Sequence, residues 1–260
     1  MKHSDLNLFK EKGEKITCLT AYDASMAKLI DDSGVDVVLI GDSLGMVIQG
    51  CKNTRSVTMQ DMLYHTEIVA NSCQQALVIA DMPFQSYDSS ELALTNAQNL
   101  VNAGAYMVKI EGGQEHEEVF RVLSSNNINV CGHLGLQPQK VADSSEYKIQ
   151  GKDEDSAKLI LSDALLLESL GISSLVLECI PSTLAKEVSS KLNIPTIGIG
   201  AGKDCDGQVL VCYDMLGITQ GKLPRFVRNF VSTEGTIPLA IKAFVKEVKA
   251  GTFPSTSESY

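Results

Sequence analysis

The sequence has no C-x-x-C pair among its seven cysteines, which stand at 18, 51, 73, 131, 179, 205 and 212. That removes a zinc ribbon and a thioredoxin-type redox motif. An odd number of cysteines cannot all pair within one chain, and several lie in apolar, strand-like runs, where a free Cys acts as a small core hydrophobe. No stretch approaches the roughly 18 uncharged apolar residues of a membrane span. Met1-Lys2-His3-Ser4-Asp5 lacks an apolar h-region and carries acid early, so it reads as neither a signal nor a transit peptide. There is no N-x-S/T sequon, no internal repeat and no low-complexity block. A basic cluster is missing too: 32 Asp and Glu against 22 Lys and Arg give a formal charge of −10, a poor partner for nucleic acid or an anionic membrane. These absences predict a reduced, cytoplasmic, soluble protein that acts on small molecules or other proteins.

What is there is a globular composition. The 260 residues are 44% hydrophobic and 21% charged, enough for one large domain with a sizeable core and no disulfide staples. Eight short apolar runs recur, beginning with 16–20, 35–40, 77–80 and 105–110 and continuing with 128–131, 174–177, 196–199 and 208–211. Amphipathic stretches near 24–32, 58–72, 90–103 and 115–124 separate the early ones. Continuous apolar strands alternating with helices indicate parallel pairing, with both sheet faces covered. Eight such units in this length predict an α/β fold of the (β/α)8 TIM-barrel type as a single domain. Strands seven and eight are joined by an irregular stretch, 200–207, in place of a helix. A long polar loop is expected at 134–152 and a frayed tail at 251–260.

The residues at the ends of these runs carry the chemistry. Asp42 and Ser43 follow the second run, Asp81 the third, and Lys109 and Glu111 close the fourth. His133 follows the fifth and Glu178 the sixth. In a barrel these positions converge on the C-terminal rim, where such enzymes place their active sites. Asp42, Asp81 and Glu111 are hard oxygen donors without a histidine cluster, a set that suits Mg²⁺ and not zinc. A single Asp is equally a helix cap or turn residue; the joint placement points to a site. Lys109 sits in a strand that should be buried, so its ammonium meets either an anionic substrate or a structural partner, Asp81 or Glu111. Glu178 in apolar surroundings suits proton transfer, or else it caps the next helix. His133, a lone His beside Gly132, fits a packing role. The run Gly198-Ile199-Gly200-Ala201-Gly202-Lys203-Asp204 has neither nucleotide fingerprint.

Longer motifs carry a resemblance. Gly41-Asp42-Ser43-Leu44-Gly45-Met46-Val47, Ala80-Asp81-Met82-Pro83-Phe84 and Val108-Lys109-Ile110-Glu111-Gly112-Gly113 resemble the ketopantoate hydroxymethyltransferase family. So do Gly132-His133-Leu134-Gly135-Leu136-Gln137-Pro138-Gln139, Leu177-Glu178 and the stretches 194–202 and 205–217, in order along nearly the whole chain. The resemblance implies a Mg²⁺-binding barrel, assembled as a homodecamer in the cytoplasm. Such a barrel moves a one-carbon unit from 5,10-methylenetetrahydrofolate to 3-methyl-2-oxobutanoate through a Mg-stabilised enolate, giving 2-dehydropantoate for pantothenate synthesis. Carried over by motif, Asp42 and Asp81 are metal ligands in contact with substrate, with Glu111 joining through the metal shell. Ser43 and Lys109 bind substrate, and Glu178 is the acid/base. One departure is Asp143-Ser144-Ser145-Glu146, where the family has a glycine pair before Tyr147. The alternatives are a Mg²⁺-dependent lyase or aldolase acting on a 2-oxo acid, and a noncatalytic barrel that binds a metabolite.

Overall fold

In the computed structural model, which describes residues 6–142 and 147–260, eight parallel strands close a barrel in chain order. They are β1 (Ile16–Thr20), β2 (Val37–Ile40), β3 (Leu77–Asp81), β4 (Met107–Glu111), β5 (Val130–Gly135), β6 (Ser174–Glu178), β7 (Thr196–Ile199) and β8 (Gly207–Leu210). The predicted (β/α)8 architecture is the observed one. Helices α2 (Ala24–Asp32), α4 (Met59–Ser72), α5 (Ser90–Asn102), α6 (Glu117–Ser125), α7 (Glu154–Ser169) and α8 (Ser182–Lys191) link successive strands, and none lies between β7 and β8. The first helix, α1 (Asn7–Lys12), precedes the barrel, α3 (Leu44–Val47) follows β2, and α9 (Cys212–Met215), α10 (Val231–Glu234) and α11 (Ile237–Lys249) follow β8.

The linking helices start where their sequences offer caps. Asp23, Ser89 and Asp153 each accept a first-turn backbone N–H, and Thr58 with Asp61 forms a capping box at α4. Alternation along the strands sorts side chains into two layers. Outward residues such as Val38, Ile40, Val108, Ile110, Leu175 and Leu177 pack against the helices. Inward residues such as Val37, Leu39, Ile79, Met107, Cys131, Val176 and Val209 fill the barrel interior. The base is pinned by two buried-to-half-buried carboxylates. Asp36 accepts from the Thr17 backbone and hydroxyl and pairs with Lys249 at 2.6 Å. Asp206 does the same with Thr196, paired with Lys10 at 2.9 Å.

Two expectations need correction. The fifth strand runs from Val130 to Gly135, so Gly132 and His133 lie inside it and not beyond its end. A buried histidine is tolerated there because charged neighbours on both adjacent strands meet its ring. Residues 251–260 do not fray but pack on the barrel. Phe253 stacks edge-on against Phe230 and Phe244, Arg228 pairs with Glu258, and the Ser182 N–H donates to the Tyr260 carbonyl at 2.8 Å. The departure at Asp143-Ser144-Ser145-Glu146 lies outside the described residues. Among the described residues no helix is long and apolar enough to cross a membrane, and all seven cysteines are free thiols.

Candidate active site

The same alternation that fills the interior with Ile79, Met107, Cys131 and Val176 sends the residues two further along each strand into the barrel mouth. These are Asp81, Lys109, His133 and Glu178, with Glu111 two beyond Lys109. Strand register brings them side by side: Asp81 faces Lys109 across β3 and β4, and Glu111 faces His133 across β4 and β5. Asp42 stands two residues past β2, where its backbone N–H donates to Asp81 Oδ2 at 3.0 Å. Asp42, Asp81, Lys109, Glu111 and His133 are all 5% exposed or less, so any uncompensated charge among them is costly.

Ion pairs, and one lysine–histidine contact, run across the mouth. Lys109 Nζ lies 3.0 Å from Asp81 Oδ1 and 3.3 Å from His133 Nδ1. His133 Nδ1 is 3.4 Å from Glu111 Oε1, and Nε2 is 3.1 Å from Glu178 Oε2. Burial disfavours the Lys109 ammonium, but the Asp81, Glu111 and Asp42 carboxylates outweigh it and lift the pKa above the usual lysine value. Burial and Lys109 likewise oppose the His133 charge, yet Glu111 and Glu178 raise its pKa to about 9. Asp42 is driven well above the usual carboxylate range, first by burial and then by Asp81 and Glu111. Glu111 is buried as deeply but is held below its usual value by His133, Lys109 and the Gln139 N–H.

Sequence reasoning placed Asp42, Ser43, Asp81, Lys109, Glu111 and Glu178 at one rim, and the structure brings them together. Neither Asp42 nor Glu178 caps the helix that follows: no side chain caps α3 or α8. The Ser43 hydroxyl meets the Tyr22 hydroxyl at 2.8 Å. A Cβ on Gly41 would fall 2.6 Å from Ser43 Oγ and 3.7 Å from Asp81 Oδ2, so only glycine lets this hydroxyl sit beside the carboxylates.

Two residues were undervalued or missed. His133, read as a packing residue, links Glu111 to Glu178. Gln139, on the loop after β5, was not singled out. Its backbone N–H donates to Glu111 Oε2 at 3.0 Å, and its amide donates to Asp42 Oδ2 at 2.8 Å and the Met82 carbonyl at 2.9 Å. A neutral loop residue leaves no periodic or charge signal in a sequence.

The donor set fits Mg²⁺. The mouth sets four carboxyl groups (Asp42, Asp81, Glu111 and Glu178) against two basic side chains, Lys109 and His133. That surplus of acidic groups adds to burial, the first cause of the raised Asp42 value. Among the described residues no group of three or more His, Cys, Asp or Glu side chains is arranged to hold a metal ion by itself. An open arrangement of one or two carboxylates, completed by water and substrate oxygens, is what Mg²⁺ uses.

Comparison with known proteins bears on this geometry. The family model described as ketopantoate hydroxymethyltransferase matches residues 1–256. The 3-methyl-2-oxobutanoate hydroxymethyltransferase of Ruthia magnifica subsp. Calyptogena magnifica is 58% identical over 255 residues, 98% of each chain. The protein of the same name from Shewanella denitrificans is 52% identical, over 97% of this chain and 96% of its own. Among solved structures, a phosphonopyruvate hydrolase complexed with oxalate and Mg²⁺ superposes with a TM-score of 0.63, at 11% identity and 81% coverage of each chain. A 2,3-dimethylmalate lyase of the PEP mutase/isocitrate lyase superfamily gives 0.61 at 15% identity, over 82% of this chain and 81% of its own. At such identities these two likenesses speak to the fold alone. With a family model spanning almost its entire length and relatives more than half identical, this chain belongs to the ketopantoate hydroxymethyltransferase family.

Proposed function

We propose that this enzyme transfers a hydroxymethyl group from 5,10-methylenetetrahydrofolate to 3-methyl-2-oxobutanoate, giving 2-dehydropantoate for pantothenate synthesis. The observation that carries the reading is the division of the mouth. Asp42, Asp81, Glu111 and Lys109 gather at the ends of β2 to β4, while Glu178 faces them from β6. One side is equipped for the charged 2-oxo acid end of the substrate, and the other for a proton at C3.

Asp42 and Asp81 would hold Mg²⁺, with Glu111 joining through its shell. The bound ion would supply charge that polarises the 2-oxo group and favours loss of the C3 proton. Lys109 sets positive charge against the substrate's anionic oxygens, and the Ser43 hydroxyl offers a further donor beside them. Glu178 takes the C3 proton, its carboxylate paired with His133 Nε2 at 3.1 Å. The C3–H bond breaks and a C3–C bond forms to the one-carbon unit, which must be held over C3. Both C–N bonds of the methylene bridge break: water supplies the oxygen of the new hydroxyl, and its second proton together with the proton from C3 ends on the two nitrogens of the departing tetrahydrofolate. The methylene carbon is already at the oxidation level of formaldehyde, so no oxidant or reductant is consumed. The family resemblance also supports a cytoplasmic homodecamer, which sedimentation of the purified chain would test.

The decisive experiment is an NMR assay of 3-methyl-2-oxobutanoate with methylenetetrahydrofolate, with and without Mg²⁺. Formation of 2-dehydropantoate only with both folate and metal is expected. Cleavage of the 2-oxo acid, or no product under any condition, would overturn the reading.

A further inference from the structure

Gln139 reaches two carboxylates of the candidate site, Asp42 with its side-chain amide and Glu111 with its backbone N–H. It is 2% exposed and lies on the loop after β5, yet it joins three other strand ends. Its backbone N–H donates to Glu111 Oε2 beyond β4, and its amide NH₂ gives one hydrogen to Asp42 Oδ2 beyond β2 and the other to the Met82 carbonyl beyond β3. Its Oε1 accepts from the Tyr87 hydroxyl at 2.6 Å. Both hydrogens of the amide, and one lone pair of its oxygen, are thereby used.

The roll of the amide is fixed by chemistry. Turned over, Oε1 would face the Asp42 carboxylate and the Met82 carbonyl, both acceptors, and the NH₂ would face the Tyr87 oxygen in place of accepting its hydrogen. Two acceptor–acceptor contacts in a buried site rule that state out. Tyr87 therefore holds Gln139, and Gln139 holds one oxygen on each of two carboxylates. With Oδ2 of Asp42 and Oε2 of Glu111 so engaged, neither carboxylate is free to swing, and each presents its remaining lone pairs in one direction.

We infer that Gln139 is a positioning residue that presents the Asp42 and Glu111 carboxylates to the cation, with Tyr87 locking its amide. The inference rests on the proposed metal-dependent function and goes beyond it by assigning a role to two residues that touch neither metal nor substrate. Outer partners of metal-ligating groups commonly govern affinity by about 10- to 100-fold.

The test is Mn²⁺ titration of the unloaded full chain, followed by electron paramagnetic resonance of free Mn²⁺, for wild type, Gln139→Leu and Tyr87→Phe. Gln139→Leu is expected to weaken binding by about 10- to 100-fold. Tyr87→Phe, which keeps the ring and the packing, should weaken it in the same direction by about 2- to 10-fold, since the amide stays but its roll is no longer locked. Hydroxymethyl transfer measured at saturating Mn²⁺ should recover in both variants much further than at limiting metal, which a general loss of structure does not produce. Binding within about threefold of wild type in both variants would overturn the inference, as would lost transfer with unchanged affinity. A wild-type chain that transfers the hydroxymethyl group but binds no Mn²⁺ overturns the metal assignment and the inference with it. A wild-type chain that binds Mn²⁺ but makes no product overturns the function alone, and the affinities of the variants still decide the role of Gln139.

Discussion

His133 Nε2 lies 3.1 Å from Glu178 Oε2, so a histidine in the middle of β5 pairs with a carboxylate at the end of β6. The pair joins the proposed proton-transfer group to the charged cluster at β3 and β4, and it makes Glu178 the first residue to test. Glu178→Gln keeps the shape of the side chain but cannot accept a proton. Turnover is expected to fall by about 10²- to 10⁴-fold with the KM for the 2-oxo acid nearly unchanged. Exchange of the C3 proton into deuterated water, followed by NMR, should slow in parallel. Wild-type exchange in this variant would remove Glu178 from the proton-transfer step.

Gly135 closes β5 with φ at +94°, directly opposite Glu178 in the strand register. A Cβ there would fall 2.2 Å from the Glu178 carbonyl oxygen, which also accepts from the Leu136 N–H at 2.9 Å. Neither of these atoms can retreat as a flexible side chain would. Gly135→Ala should therefore cost about 1–3 kcal/mol from the backbone conformation alone. It should also displace Glu178 enough to lower kcat. Thermal unfolding and steady-state kinetics on the same preparation check both effects; a change in Tm without a change in kcat would show that Glu178 tolerates the shift.

Asp81 and Lys109 form a buried pair, and each is 5% exposed or less. Removing one partner alone leaves a buried charge short of its compensation. Asp81→Ala is expected to lose about 3 kcal/mol. Adding Lys109→Met in the same chain should return part of that loss while transfer stays abolished. Denaturant unfolding of the two single variants and the double variant would measure the coupling, and additive losses would contradict a direct pair.

Asp31, at the end of α2, accepts from the backbone N–H groups of Gln74, Gln75 and Ala76 at 3.0, 3.0 and 2.7 Å. Burial alone would raise its pKa, but the three donors outweigh it and hold the value below the ordinary one. The folded carboxyl thus binds a proton less readily than the unfolded one. Its contribution is complete above about pH 4, the unfolded value, and is lost as pH falls through the lower folded value. Asp31→Ala should cost about 2 kcal/mol at neutral pH. The gap between the Tm values of variant and wild type should narrow on acidification below about pH 4. A gap that widened there would mean the protonated form makes the stabilising contacts.

Much of this was legible in the sequence, for reasons that are local. Each apolar run is a strand because both faces are buried, and the missing helix between Ile199 and Gly207 shows as a stretch without helical periodicity. The charged rim was legible because Asp81, Lys109, Glu111 and Glu178 interrupt runs that are otherwise apolar. What stayed hidden depends on register and distant contacts. The role of His133 depends on facing Glu111 across β4 and on reaching Glu178 on β6. Gln139 meets Asp42 from 97 positions away and Met82 from 57, and no local pattern announces such a meeting. The packing of residues 251–260 likewise depends on Arg228, Phe230 and Phe244, none of them neighbours in sequence.

That packing has a consequence for the order in which the molecule is completed. All eight strands, and with them every ionisable group of the mouth, have been synthesised once Leu210 is added. The N–H of Ser182, four residues past Glu178, must still wait for the carbonyl of Tyr260. A chain stalled or clipped near residue 250 would keep its catalytic side chains and its barrel. It would lack the segment that fastens the start of α8 behind Glu178, so loss of 251–260 should lower turnover more than it lowers the stability of the barrel.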